Sequence, residues 1–151
     1  MQVFIIGSAI ETAMCLDKKR LNKQIIECQQ ILKGIWDENK AWANHPCTIQ
    51  YREHDTWLWY YYQTLTFYRD YINNVSKQFG GNPIDDLNEA KIKSNIADVY
   101  KPNFHTQEYF DNMKKRLYTK NHEHYKQWEH LGESYENWYW VDNKWKIYKQ
   151  K

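Results

Sequence analysis

Residues 15–35 read CLDKKRLNKQIIECQQILKGI, and the spacing of their apolar positions sets the architecture. Leu21, Ile25, Cys28, Leu32 and Ile35 recur three or four residues apart, which is the stripe of a helix burying one face. Arg20, Lys23, Glu27 and Gln30 keep the same spacing half a turn away, so they project together from a second, polar side. Gly34 falls near the expected end of this helix.

Upstream, the apolar run Val3-Phe4-Ile5-Ile6 stops at Gly7, and Ser8 and Glu11 have the spacing of a capping box, so the chain start is expected to be tied down. Downstream, Asn44-His45-Pro46 reads as a loop ending at a helix start, with Asn44 as the cap and Pro46 in the first turn. Leu58, Tyr61 or Tyr62, Leu65, Tyr68, Ile72 and Val75 predict a second long helix, capped by Asp55 or Thr56 if the region is interrupted near His54. Gly80-Gly81-Asn82-Pro83 should end it. Residues 79–104 read as an acidic, loop-rich connection with at most a short helix from Leu87 to Ile96. A third long helix is expected from Thr106 to Tyr118, with Phe110, Met113 and Leu117 inward and Lys114, Lys115 and Arg116 outward. Aromatic and polar residues alternate on both sides of Asp142-Asn143, the pattern of a small β-hairpin. The expected fold is mainly α: a compact bundle of about three long helices with long loops and a small C-terminal hairpin, in one domain spanning 1–151 whose residues 129–151 form an aromatic extension.

With 8 Trp and 13 Tyr among 151 residues, aromatic packing has to supply much of the core. No apolar run reaches the roughly 18 residues a membrane span needs, and the opening decapeptide lacks the basic flank of a signal peptide, so a cytoplasmic chain is expected. Cys15, Cys28 and Cys47 are odd in number and fit no ligand spacing, which predicts reduced thiols and neither a disulfide framework nor a zinc site. The net charge of +2 is unevenly spread: +1 over residues 1–78, −3 over 79–111 and +4 over 112–151. A basic face would arise if Lys18, Lys19, Arg20 and Lys23 met Lys114, Lys115 and Arg116 in space. Ordinary solvated helix faces are the alternative.

Glycine-rich phosphate loops, GxSxG elbows and HExxH helices are absent from the sequence, which removes the common phosphoryl-transfer, serine-hydrolase and zinc-protease signatures. Three blocks remain in order: Leu16-Asp17-x-x-Arg20-Leu21-x-Lys23-Gln24-x-x-Glu27, then Asn44-His45-Pro46 followed by His54, then Glu123-His124-Tyr125-x-x-Trp128. Together they resemble the phage and bacterial pyrimidine dimer DNA glycosylase family, over most of residues 1–128.

The resemblance implies a compact helical fold, an N-terminal α-amine that attacks the sugar, and a glutamate on the first long helix, which Glu27 matches. It also implies that Arg20, Lys23, His54, Lys115, Arg116, His45 and Tyr125 contact DNA. The implied partner is double-stranded DNA with a damaged or modified pyrimidine, with no cofactor, metal or membrane, and a monomer is expected. Two departures stand out: Ile26 and Gln30 occupy positions where the best-known phage members have arginines, and Gln2 follows Met1 where they expose a small residue after the initiator is removed. A bulky second residue generally leaves the initiator in place, so the implied nucleophile is the α-amine of Met1. The chemistry is reasonable, because α-amines ordinarily titrate at about 7.7–8.0 and are partly neutral near pH 7 without burial. Glu27 has a competing role as an i,i+4 ion pair with Lys23, and His54 and His45 as helix caps. The rival to an enzyme is a noncatalytic DNA-binding or protein-interaction module on the same fold; a metal-dependent nuclease using Asp17, Glu27 and histidines is weaker for want of a recognised spacing.

Overall fold

A computed structural model describes residues 1–77 and 83–150. Six α-helices come first: α1 (Ala9–Cys15), α2 (Lys18–Trp36), α3 (Pro46–Tyr51), α4 (Asp55–Lys77), α5 (Pro83–Val99) and α6 (Gln107–Lys120). A 3₁₀ turn, Lys126–Leu131, leads into a hairpin of β1 (Glu136–Val141) and β2 (Lys144–Lys149). The mainly helical fold with a C-terminal hairpin matches the expectation, but the helices are more numerous and the loops shorter. The Gly80-Gly81-Asn82 part of the expected terminator lies outside the described residues.

The largest correction is α5, which fills most of the stretch expected to be loop-rich. Its buried positions are Ala90, Ser94 and Ala97, small residues that let α5 lie close against α4 without the large apolar stripe that sequence periodicity detects. A second correction concerns the cap of α3. His45, and not Asn44, is the N-cap, its Nδ1 accepting from Cys47 N at 3.1 Å, while Pro46 occupies the first turn. Ser8 caps α1 as expected, accepting from Glu11 N at 3.2 Å and donating to the Glu11 carboxylate at 3.0 Å.

On α2, Leu21, Ile25, Cys28 and Leu32 are buried, joined by Gln24 and Ile31. α4 contributes Trp57, Leu58, Tyr61 and Leu65, and α6 contributes Tyr109, Phe110, Met113 and Leu117. The hairpin turns at Asp142 and Asn143 with φ of 56° and 58°, the two left-handed residues of a type I′ turn, so Val141 pairs with Lys144. Cys28 and Cys47 are buried thiols, and all three cysteines are free.

Residues 2–5 are buried yet belong to no helix or strand. The backbone groups of Gln2 and Phe4 and the carbonyl of Val3 are satisfied by side chains from elsewhere. Gln24 of α2 accepts from Phe4 N at 2.5 Å and donates to Gln2 O at 3.1 Å. Tyr61 donates to Phe4 O, Tyr109 to Val3 O and Tyr139 to Met1 O. Gln2 in turn donates through its side-chain amide to Trp138 O at 3.0 Å. Gln24→Leu keeps the bulk but orphans two buried backbone groups, at about 1–3 kcal/mol each. A matching loss in urea-unfolding free energy is expected.

Candidate active site

The N-terminal segment, α2, α6 and the hairpin converge on a cleft of about 190 Å³. The chain start supplies Met1, Gln2 and Phe4, and α2 supplies Lys19, Arg20, Lys23, Gln24 and Glu27. From the C-terminal half come Arg116 and Lys120 of α6, Asn137 of β1, and Gln150. Five cationic side chains therefore surround one carboxylate, a lining that attracts a polyanion.

Glu27 is largely withdrawn from water, its side chain 12% exposed. Its Oε2 accepts from the Gln2 backbone N at 3.4 Å. The Lys23 ammonium sits 3.9 Å away on a side chain 67% exposed, an ion pair too long and too wet to account for the carboxylate's placement. Arg20 spans the cleft floor, pairing with Asp17 at 3.2 Å and donating to Lys120 O at 3.3 Å, which ties the start of α2 to the end of α6.

Arg116 was expected to point outward with its neighbours; it is 4% exposed and donates to Ser134 O at 3.2 Å. Burial lowers its pKa. The basic patch thus forms between α2 and the Arg116–Lys120 side of α6. Lys115 faces a neighbouring pocket with Glu133 and Lys149, reached across Gln150, which lines both. Lys114 lies over the Trp128 ring, 6.0 Å from its centroid.

The remaining expected site residues lie elsewhere. Tyr125 is fully buried, its hydroxyl donating to the Asp17 carboxylate and accepting from Asp17 N at 2.9 Å, so it is a core strut with no free face for DNA. Trp128 stacks on it at 5.5 Å. His54 lines a separate cleft with Arg52, Glu53 and the hairpin tip, its ring edge-on to Phe104 and its backbone carbonyl accepting from Leu58 N at the start of α4. His45 stands edge-on to Tyr139 behind the chain start; burial and then the nearby terminal ammonium hold its imidazole below the usual histidine range. Among the described residues, no group of three His, Cys, Asp or Glu side chains is placed to hold a metal ion, and no helix is long and apolar enough to cross a membrane.

Lys120, Asn137 and Gln150 join the site from positions that carry no local motif. Only the +4 charge of residues 112–151 hinted at Lys120. Three buried polar atoms of the cleft residues, Gln2 Oε1, Asn137 Oδ1 and Arg116 Nε, have no hydrogen-bond partner among the described residues.

Residues 1–67 match the family model described as pyrimidine dimer DNA glycosylase. The matched segment holds Met1, Arg20, Lys23 and Glu27, and the match supports the resemblance drawn from the sequence. Arg116, Lys120 and the hairpin wall lie beyond the glycosylase match. No curated protein and no solved structure matches the chain.

Lys120 is a sensitive reporter of the cleft. Burial, then Arg116, Lys23 and Arg20, lower its pKa below 10.5 despite the pull of Glu27. A lysine with a depressed folded pKa disfavours the fold at pH values where it must carry its proton, and that penalty fades as pH rises past the ordinary lysine value. Lys120→Gln should therefore raise the thermal midpoint at pH 7, with the gain disappearing above pH 10.5.

Proposed function

We propose that the cleft is the active site of a DNA glycosylase with an associated AP lyase activity, acting on damaged or modified pyrimidines in duplex DNA. One observation carries this reading: the first peptide of the chain and the Glu27 carboxylate meet at the wall of a cation-lined cleft. The nucleophile is the α-amine of Met1. Its neutral form attacks the sugar C1′; the bond from C1′ to the base nitrogen breaks, and the departing base takes up a proton. Ring opening then leaves a C1′ imine.

Removal of the C2′ proton expels the 3′ phosphate by β-elimination, and water hydrolyses the imine to return the amine. Glu27 stabilises the positive charge that develops at C1′ and shuttles protons in the later steps, roles worth about 10²–10⁴-fold. Its low exposure supports this, since a carboxylate acts more strongly on a nearby cation where little water screens it. Arg20 and Lys23, joined by Lys19 and Lys120, hold the phosphates that flank the lesion, fixing register without reading sequence, while the buried Arg116 adds its charge to the same cleft.

The reading is tested by borohydride reduction on duplexes carrying a cyclobutane dimer, a modified pyrimidine or an abasic site, in buffer with chelator. A covalent adduct mapping to the Met1 peptide is expected on at least one of them, with dimer DNA the first choice given the family match. Glu27→Gln should slow its formation by about 10²–10⁴-fold while DNA is still bound. Salt-sensitive binding with neither an adduct nor a nick on any substrate would instead identify a noncatalytic DNA-binding module. Lys23→Gln should lower the slope of log affinity against log salt by about one.

A further inference from the structure

A terminal amine is tethered on one side only, so its position in a cleft depends on how firmly the first peptide unit is held. A peptide is a rigid plane that includes both flanking Cα atoms. Here both polar ends of the Met1–Gln2 peptide are engaged. Its N–H reaches Glu27 at 3.4 Å, and its carbonyl accepts from the Tyr139 hydroxyl at 2.7 Å. With that plane fixed, the amine retains a single backbone rotation.

We infer that Tyr139, from the hairpin beyond the family match, is the positioning residue of the terminal amine, clamping the first peptide against Glu27. The inference rests on the proposal that this amine is the nucleophile. Tyr139 suits the role because it is itself immobilised: it is 4% exposed and stands edge-on to the His45 ring at 5.8 Å. Its strand is pinned on both sides, by Trp140 N donating to Gln50 and by Asn112 donating to Glu136 O. The neighbouring strand residue adds a second tie, with Trp138 O accepting from the Gln2 side chain at 3.0 Å. Burial pushes the Tyr139 phenol well above the ordinary tyrosine value, so it remains a donor throughout the pH range in which an amine is partly neutral.

Tyr139→Phe removes the hydroxyl and keeps the ring. Tyr61→Phe is the reference, because it loses the same kind of hydroxyl-to-carbonyl bond three residues further along, at Phe4. Three quantities are read for each variant: the single-turnover rate of borohydride trapping on a preformed abasic-site duplex, affinity for a duplex with a tetrahydrofuran abasic analogue, and thermal midpoint. Trapping by Tyr139→Phe should slow roughly tenfold, as expected for a nucleophile that has lost its alignment, at unchanged affinity. Tyr61→Phe should lower the midpoint and trap at the parental rate.

Parental trapping by Tyr139→Phe overturns the inference. So does equal slowing by both variants, which would mean that the hydroxyl only stabilises the fold. A parental protein that forms no imine at Met1 refutes the nucleophile itself before any variant is compared, which separates failure of the proposed reaction from failure of the clamp.

Discussion

The structure depends on a buried strand of chain that pairs with no other strand. Residues 2–5 run through the interior, where unpaired amides and carbonyls are costly, and the bonds to Gln2, Val3 and Phe4 come from side chains of α2, α4 and α6. Gln24 is the centre of this arrangement, because one side-chain amide serves two backbone groups and also accepts from the Tyr61 hydroxyl at 3.2 Å. The abundance of tyrosine has a structural use here: each ring fills the core while its hydroxyl reaches a carbonyl that no regular ladder serves. The start of the chain reaches the surface beside Glu27 at the end of this segment, where the Gln2 N–H meets the carboxylate.

That delivery determines the character of the cleft. Glu27 and Met1 share a wall with five cationic side chains, a mixture unfavourable for a folded protein by itself, as Lys120 shows, its pKa lowered by burial and then by Arg116, Lys23 and Arg20. Like charges gathered at partial burial are the mark of a surface shaped for an anionic partner. The family match covers the side of the cleft that holds Met1 and Glu27, and the opposing wall is built from the C-terminal half.

Much of this was legible in the residues. The α2 stripe, the Ser8–Glu11 cap, the interruption near His54 and the Asp142-Asn143 turn all depend on local geometry, which short-range spacing encodes directly. The misreadings have physical reasons. α5 was missed because its packing face is made of Ala90, Ser94 and Ala97, whose contribution is closeness and not apolar bulk. Arg116 reads as a solvated charge from its position beside Lys114 and Lys115, yet its long chain turns inward to Ser134 O. Tyr125 reads as a candidate DNA contact until the Asp17 side chain is seen to hold its hydroxyl. Pairings such as Met1 with Tyr139 have no local signal at all.

The bonds from Met1 to Tyr139 and from Gln2 to Trp138 join residues 138 and 136 positions apart. The Met1 carbonyl and the Gln2 side chain are thus tied to the fold only through contacts very distant along the chain. The closing of so long a loop falls among the slower steps by which a chain of this size reaches its native state. Until that loop closes, the Met1 carbonyl and the Gln2 side chain lack these partners, and a segment not yet fully docked is a point of vulnerability to aggregation or to a protease.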